Sequence, residues 1–232
     1  MFKKLTLIVL IGFVLSGCAL NRSEISLDRP AIKSMAANGV DKKQAVIRSV
    51  TDQRIFEQEP SDPSVPSLGF GGSDSAPDAI KERAVARKRN GFGKAMGDVL
   101  LEHDTVKSAV RQAVQQALTD AGYQVVNEGQ SSSSEPDLTV DVRIVRFWSW
   151  FNPGFWAITL HTAISTDFML KGRKAPLNVS VQSDENYQAA TDGNWKEIIN
   201  KALDEYQQQT RKLFSSPLPL DEDTSRGDKT AN

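Results

Sequence analysis

Two neighbouring stretches of alternating side chains constrain the fold most. Residues 138–144 alternate strictly between apolar and polar side chains, a pattern that predicts a strand with one buried face. Residues 156–170 again place most of their large apolar side chains on one face. Asn152-Pro153-Gly154 lies between the two stretches and has the composition of a turn. The sequence therefore predicts a long β-hairpin, and a core built around a sheet.

The end of this hairpin carries the candidate binding surface. Side chains of a strand point alternately to its two faces, so some of the rings there are expected to be exposed. The rings have two interpretations: they cover the open end of the sheet as core, or they contact a partner or lipid, since aromatic side chains dominate binding interfaces. The candidate residues are Trp148, Trp150, Phe151, Phe155 and Trp156.

The remaining elements complete an α+β pattern. Residues 45–50, 123–126 and 177–181 predict strands, and residues 105–121 and 194–214 predict helices with one apolar side. Asp104 is the expected cap of the first helix, and Asp192 or Asn194 that of the second. Residues 78–88 predict a short helix, and its basic face has two interpretations, a solvated surface or a contact with phosphate groups. At Ile144 and Val145 the alternation breaks, which predicts a bulge or a strand covered on both faces.

The predicted fold class is α+β: a mostly antiparallel sheet of four to five strands, with two helices packed on one face and a long Pro/Gly-rich insertion after the first strand. The predicted organisation begins with a signal peptide (1–17) and a lipid anchor with tether (18–43). A single domain (44–214) follows, with a flexible insertion (57–79), and a disordered tail (215–232) ends the chain. Prolines and glycines between 60 and 77 exclude a regular element there.

The amino terminus has the pattern of a bacterial signal peptide. Lys3 and Lys4 precede an apolar run that is too short to cross a bilayer as a helix, and small residues follow. Leu15-Ser16-Gly17-Cys18 resembles the lipobox of bacterial lipoproteins, in which the cysteine receives palmitate or similar acyl chains and the chain is cut before it. Cys18 is the only cysteine among 232 residues. The alternative is an ordinary secreted protein with a single stray cysteine.

Lipidation of Cys18 has two consequences for the mature chain. With the only thiol acylated, no disulfide, thiolate metal site or cysteine nucleophile remains. The next residue is Ala19 rather than aspartate, which by the sorting rule of bacterial lipoproteins favours the outer membrane, with the protein facing the periplasm. Removal of residues 1–17 takes away Lys3 and Lys4 and leaves 26 basic and 29 acidic side chains, a net charge of −3. Such a chain is not expected to bind nucleic acid.

No pattern in the sequence predicts catalysis. The two histidines, His103 and His161, lie far apart without a matching carboxylate motif, and each is expected to be solvated. Phosphate-binding loops, nucleophile elbows and metal-binding runs are absent from the sequence. We therefore expect a protein that is not an enzyme and has no catalytic, cofactor-binding or metal-binding residues.

Three segments carry a resemblance to a known family. These are Asp52-Gln53-Arg54 after the first strand, Arg89-Asn90-Gly91-Phe92-Gly93, and the helix at 105–121 that ends before Gly122. Together with the lipobox they resemble the YajG-type family of Gram-negative outer-membrane lipoproteins. The layout is also similar to lipoproteins of the LptE type and to transporter-auxiliary lipoproteins.

The resemblance implies an α+β lipoprotein and transfers no catalytic residue. The expected function is a non-enzymatic binding or adaptor protein, anchored to the membrane through Cys18, with a protein or glycan partner in the envelope. The alternative is an accessory subunit in lipid or lipopolysaccharide transport or assembly.

Overall fold

Eight strands and three helices make up the part of the chain that the structure describes. The computed structural model describes residues 22–28, 43–69, 71–90, 94–127 and 135–216, so the predicted signal peptide, Cys18 and residues 217–232 lie outside the described residues. The elements, in chain order, are β1 (Ser23–Ile25), β2 (Gln44–Asp52), α1 (Asp78–Lys81), β3 (Ala84–Arg89), β4 (Ala95–Leu101), α2 (Val106–Asp120), β5 (Gln124–Val126), β6 (Leu138–Pro153), β7 (Ile158–Leu170), β8 (Leu177–Tyr187) and α3 (Asp192–Ser215).

The sheet divides along one edge of its longest strand. β7 pairs with β6 over nearly its whole length, and β8 pairs with β7. On the opposite edge of β6, β2 pairs with residues 138–144, whereas β3 pairs farther along at Ser149. β5 extends the sheet beyond β2, and β4 followed by β1 extends it beyond β3. One strand of 16 residues, β6, therefore supports two separate groups of strands on this edge, which we call wings: the lower wing is β2 and β5, and the upper wing is β3, β4 and β1.

The prediction of a mostly antiparallel sheet of four to five strands with two helices is wrong. Among the described residues the sheet is mixed and has eight strands, with four parallel and three antiparallel pairings, and there are three helices. The strands that the sequence did not predict, β1, β3 and β4, are short and lack alternation. Ser23–Ile25, in the segment predicted as a tether, forms edge strand β1. Residues 78–88, predicted as one helix, form α1 and most of β3, because Ala84, Val85 and Ala86 are all buried where both faces of the sheet are covered.

Two helices cover one face of the sheet and enclose the main core. α2 packs on β2, and α3 packs on β7 and β8. The Thr105 side chain, rather than Asp104, caps α2 by accepting a hydrogen bond from the Ser108 amide (3.2 Å). Thr191 begins α3 in a capping box with Asn194, so neither Asp192 nor Asn194 is the cap itself. The two predicted helices are thus confirmed with shifted ends.

At the upper wing, the face of the sheet opposite the helices is covered by the turn-rich segment after β2. The described residues between 57 and 77 contain no helix or strand, as predicted. Leu68 is fully buried there in a cluster with residues of β3, β4, β6 and β7, namely Ala84, Leu100, Trp148, Trp150 and Ala163. The Gly69 amide donates to the buried Asp98 carboxylate (2.7 Å), and a Cβ at Gly69 would lie 2.7 Å from the Met96 carbonyl oxygen. The segment therefore acts as a second layer without regular structure.

Arg54 fills the gap where the two wings separate. Its guanidinium forms an ion pair with Asp52 (2.8 Å) and donates to the carbonyl oxygens of Ala84 (2.6 Å), Phe147 (3.1 Å) and Lys81 (2.7 Å). Its side chain is fully buried. Phe147 lies between the stretch of β6 that pairs with β2 and the residue that pairs with β3. Arg54 thus provides hydrogen-bond donors to carbonyl groups at the point along β6 where the two wings separate.

Replacement of Arg54 by methionine tests this role. The change leaves the Asp52 carboxylate and three carbonyl groups without their cation, and the loss of one partner of a buried ion pair typically costs about 3–5 kcal/mol. We expect the free energy of unfolding, measured by urea denaturation with tryptophan fluorescence, to fall by that amount.

The matched control is Arg48→Met, which removes the ion pair of Arg48 with Asp141. The Arg48 side chain is half exposed, so its loss should cost no more than about 1 kcal/mol. Equal losses in the two variants would contradict the role assigned to Arg54.

Candidate functional site

The predicted hairpin is confirmed as the β6–β7 pair. Its register extends from Val140 opposite Leu170 to Pro153 opposite Ile158. The connection therefore comprises residues 154–157, and β7 begins two residues later than the predicted Trp156. The register shifts between Ile144 and Arg146, which confirms the bulge, one of the two alternatives that the break in alternation predicts.

The structure separates the five candidate residues into two groups. Trp148, Trp150 and Phe151 are buried, at 0, 8 and 8% exposure. Phe155 and Trp156 are 89 and 84% exposed. The three rings on β6 are thus part of the core, and the two rings in the connection between β6 and β7 lie at the surface.

The buried rings belong to different faces of the sheet. Trp148 and Trp150 pack in the cluster beneath the turn-rich segment, whereas Phe151 packs in the main core. The indole N–H of Trp148 donates to the Pro63 carbonyl oxygen (3.2 Å), so the segment also supplies the acceptor that a buried indole needs. Trp148 thus bonds to the covering segment, and all three rings are packed inside the fold.

Phe155 and Trp156 form the candidate site, which we name the aromatic tip. Their rings pack edge to face, with centroids 4.8 Å apart and an interplanar angle of 86°. Asn152, Pro153 and Gly154 beside them are exposed as well. Gly154 fits the turn because a Cβ there would lie 2.4 Å from the Ala157 carbonyl oxygen. The tip thus presents two adjacent apolar rings to solvent.

The hairpin that carries the tip has no fully charged side chain over a long stretch. Between Arg146 and Asp167 the sequence contains no Asp, Glu, Lys or Arg. The neighbouring strand β8 contributes Asp184 and Glu185, which lie opposite His161 and Leu160 rather than at the tip. The tip is therefore the apolar end of a hairpin whose residues 147–166 include no Asp, Glu, Lys or Arg.

His161 occupies an environment that the sequence did not indicate. Its ring stacks on Trp150 with centroids 5.0 Å apart, and its Nδ1 contacts the carboxylate of Asp184 on the adjacent strand. The Arg146 guanidinium lies 5.1 Å from the Trp150 ring centroid. The prediction of a solvated histidine is wrong for His161, since its side chain is only 14% exposed. It is confirmed for His103, which is mostly exposed.

Strand directions place the aromatic tip at the same end of the sheet as the start of β1. β3 is parallel to β6, β4 is antiparallel to β3, and β1 is parallel to β4. β6 therefore runs toward the tip, and β1 runs away from that end. Arg22, just before β1, forms an ion pair with the fully buried Asp98 (2.9 Å).

The predicted lipid-attachment residue lies just outside the described part of the chain. Cys18 precedes Arg22 by four residues, so it is joined directly to this end of the sheet. Within the described ranges, no helix has both the length and the apolar character that a transmembrane helix requires.

Comparisons with known proteins give weak structural likeness alone. No protein-family model matches the sequence, and no curated protein matches it. An uncharacterized protein of known structure is 10% identical, with a TM-score of 0.42 over 84% of this chain and 97% of that chain. A Xanthomonas campestris protein of the DUF330 family is 11% identical, with a TM-score of 0.42 over 84% of this chain and 93% of that chain. A minor lipoprotein from Acinetobacter baumannii is 14% identical, with a TM-score of 0.34 over 48% of this chain and 87% of that chain. This likeness assigns neither a family nor a role, so the YajG-type resemblance stays a prediction.

Alanine substitutions at two tryptophans of the hairpin test the separation into core and tip. Trp150→Ala removes a ring packed between Arg146 and His161, and such a truncation typically costs about 3–5 kcal/mol. Trp156→Ala removes an exposed ring and should change the free energy of unfolding by no more than about 0.5 kcal/mol. Urea denaturation followed by circular dichroism measures both. A loss at Trp156 comparable to that at Trp150 would place the tip in the core and contradict the assignment.

Proposed function

We propose that this chain is a lipid-anchored envelope protein that faces the periplasm from the outer membrane and has a binding rather than an enzymatic role. The observation that carries the proposal is the short distance in sequence between the lipobox cysteine and the fold. Arg22 is tied to the buried Asp98, and Ser23 pairs with Val99 in the sheet. Cleavage before Cys18 removes none of these residues, and acyl chains on Cys18 hold the folded body close to the bilayer.

The binding role rests on the aromatic tip. Exposed apolar rings are costly for a soluble surface and mark places where a protein contacts something else. Phe155 and Trp156 are the exposed members of the candidate surface, and their edge-to-face packing holds them in one arrangement. The tip is therefore the contact surface of the proposed function.

Several finer expectations remain predictions. Placement in the outer membrane rests on Ala19 after the cysteine. A protein or glycan partner and the YajG-type assignment rest on sequence alone. A role in lipid or lipopolysaccharide transport needs a groove lined by the hairpin aromatics, and three of these, Trp148, Trp150 and Phe151, are packed within the described fold.

Lipidation is tested by blocking the lipoprotein signal peptidase with globomycin in intact cells. We expect a larger precursor to accumulate, because cleavage before Cys18 follows acylation. A Cys18→Ala variant should lose the acylated amino terminus, as measured by mass spectrometry. Absence of a precursor in the treated cells would contradict the proposal.

The sorting part is tested with Ala19→Asp as a matched variant. It keeps Cys18 and the fold but supplies the residue that retains lipoproteins in the inner membrane. We expect the wild-type protein to sediment with outer-membrane fractions and the variant with inner-membrane fractions. Identical distributions would refute the sorting assignment while leaving lipidation intact.

A further inference from the structure

We infer that the aromatic tip inserts Phe155 and Trp156 into the headgroup region of the same phospholipid bilayer that holds the acylated Cys18. This inference rests on the proposed lipid anchor and names the partner of the contact surface. The bilayer is thus contacted at two points, one covalently attached and one built from side chains of the fold.

Strand register and chain length allow the two points to reach the same height. Ser23 lies opposite Val99, Val99 opposite Ala86, and Ala86 opposite Ser149, so Ser23 stands level with Ser149 in the sheet. Pro153 lies four residues farther along β6, a rise of about 13 Å. Cys18 lies five residues before Ser23, and five residues span at most about 17 Å. Cys18 can therefore reach the height of the tip.

The lateral separation also suits a common surface. β1, β4, β3 and β6 are consecutive neighbours in the sheet, so three strand spacings, about 14 Å, separate β1 from the hairpin. The start of β1 and the apolar tip thus lie at one end of the same sheet, three strands apart, which allows Cys18 and the tip to meet one bilayer surface. The strands would then stand upright on the membrane.

The chemistry of the tip fits the membrane interface. Tryptophan is enriched where headgroups meet acyl chains, because its ring is apolar and its indole N–H is polar. No Asp, Glu, Lys or Arg between Phe147 and Thr166 opposes entry of the hairpin end into that region. The proximity of the anchor ensures that the tip encounters the bilayer.

The size of the tip favours a bilayer over a protein partner. A stable protein interface buries about 800 Å² on each partner. Two aromatic side chains supply roughly 150–250 Å² each, and Asn152, Pro153 and Gly154 beside them are exposed but lack large apolar groups. Two rings suffice, in contrast, to hold an already anchored protein at a fixed orientation on lipid.

Tryptophan fluorescence of the full-length lipidated protein in vesicles tests the inference. The vesicles contain phosphatidylethanolamine and phosphatidylglycerol, with or without phosphatidylcholine brominated on its acyl chains, which quenches tryptophans that enter the bilayer. Trp148, Trp150 and Trp195 are buried within the protein, so quenching should come from Trp156. We expect brominated lipid to reduce wild-type emission and to leave the emission of Trp156→Phe unchanged.

A photoreactive benzophenone side chain at Phe155 provides the second measurement in intact cells. Crosslinks to phospholipid support the inference. The inference is overturned in favour of a protein partner if Phe155 crosslinks to a protein and the emission of Trp156 is quenched by acrylamide in water but not by brominated lipid. Emission that brominated lipid quenches equally in wild type and Trp156→Phe would also overturn it.

Mass spectrometry of the amino terminus separates the two failures. An acylated Cys18 together with an unquenched Trp156 overturns the inserted tip and leaves the lipid-anchored protein standing. An unacylated Cys18 overturns the proposed function, and with it the shared bilayer on which this inference rests.

Discussion

The fold depends on one buried arginine at the place where the sheet divides. A strand edge that is shared by two partners has a junction at which neither partner can supply a hydrogen bond. Arg54 solves this problem with the guanidinium, whose planar set of donors reaches Asp52 and carbonyl groups of β3, β6 and the end of α1. A buried carbonyl group without a donor is costly, so this single side chain joins β2, through Asp52, to β3, β6 and the end of α1.

The sequence predicts the parts of this fold that have long periodic patterns. β6, β7, α2 and α3 each repeat their apolar positions over enough residues for the period to be recognised. β1, β3 and β5 are short, and their pairing is set by neighbours that are distant in the chain, such as Val99 opposite Ser23. An antiparallel hairpin can be inferred from its turn, but a parallel pairing depends on crossover connections that leave no local pattern. The missed part of the topology comprises the four parallel pairings and the antiparallel pairing of β3 with β4, whose strands were not predicted.

The candidate site was predictable to the same limited extent. Alternation along β6 cannot separate Trp150 from an exposed ring, because the layer that buries it comes from a segment rich in proline and glycine. The contact of His161 with Asp184 joins residues 23 positions apart and depends on the register of β7 and β8. The sequence left all five rings open between core and contact surface and placed Trp156 at the start of the returning strand, whereas β7 begins at Ile158 and both Phe155 and Trp156 are exposed.

The free edge of β8 carries a consequence for association between copies of the chain. Among the described strands, β8 pairs with β7 alone, so its other edge presents unpaired backbone groups. Lys201 of α3 donates to the Asp184 carbonyl oxygen (3.1 Å) and to the Glu185 carboxylate (2.9 Å). A second molecule approaching to continue the sheet would have to displace this lysine and place two such acidic strands side by side. Crowding of copies of the chain therefore does not lead readily to edge-to-edge aggregation at β8.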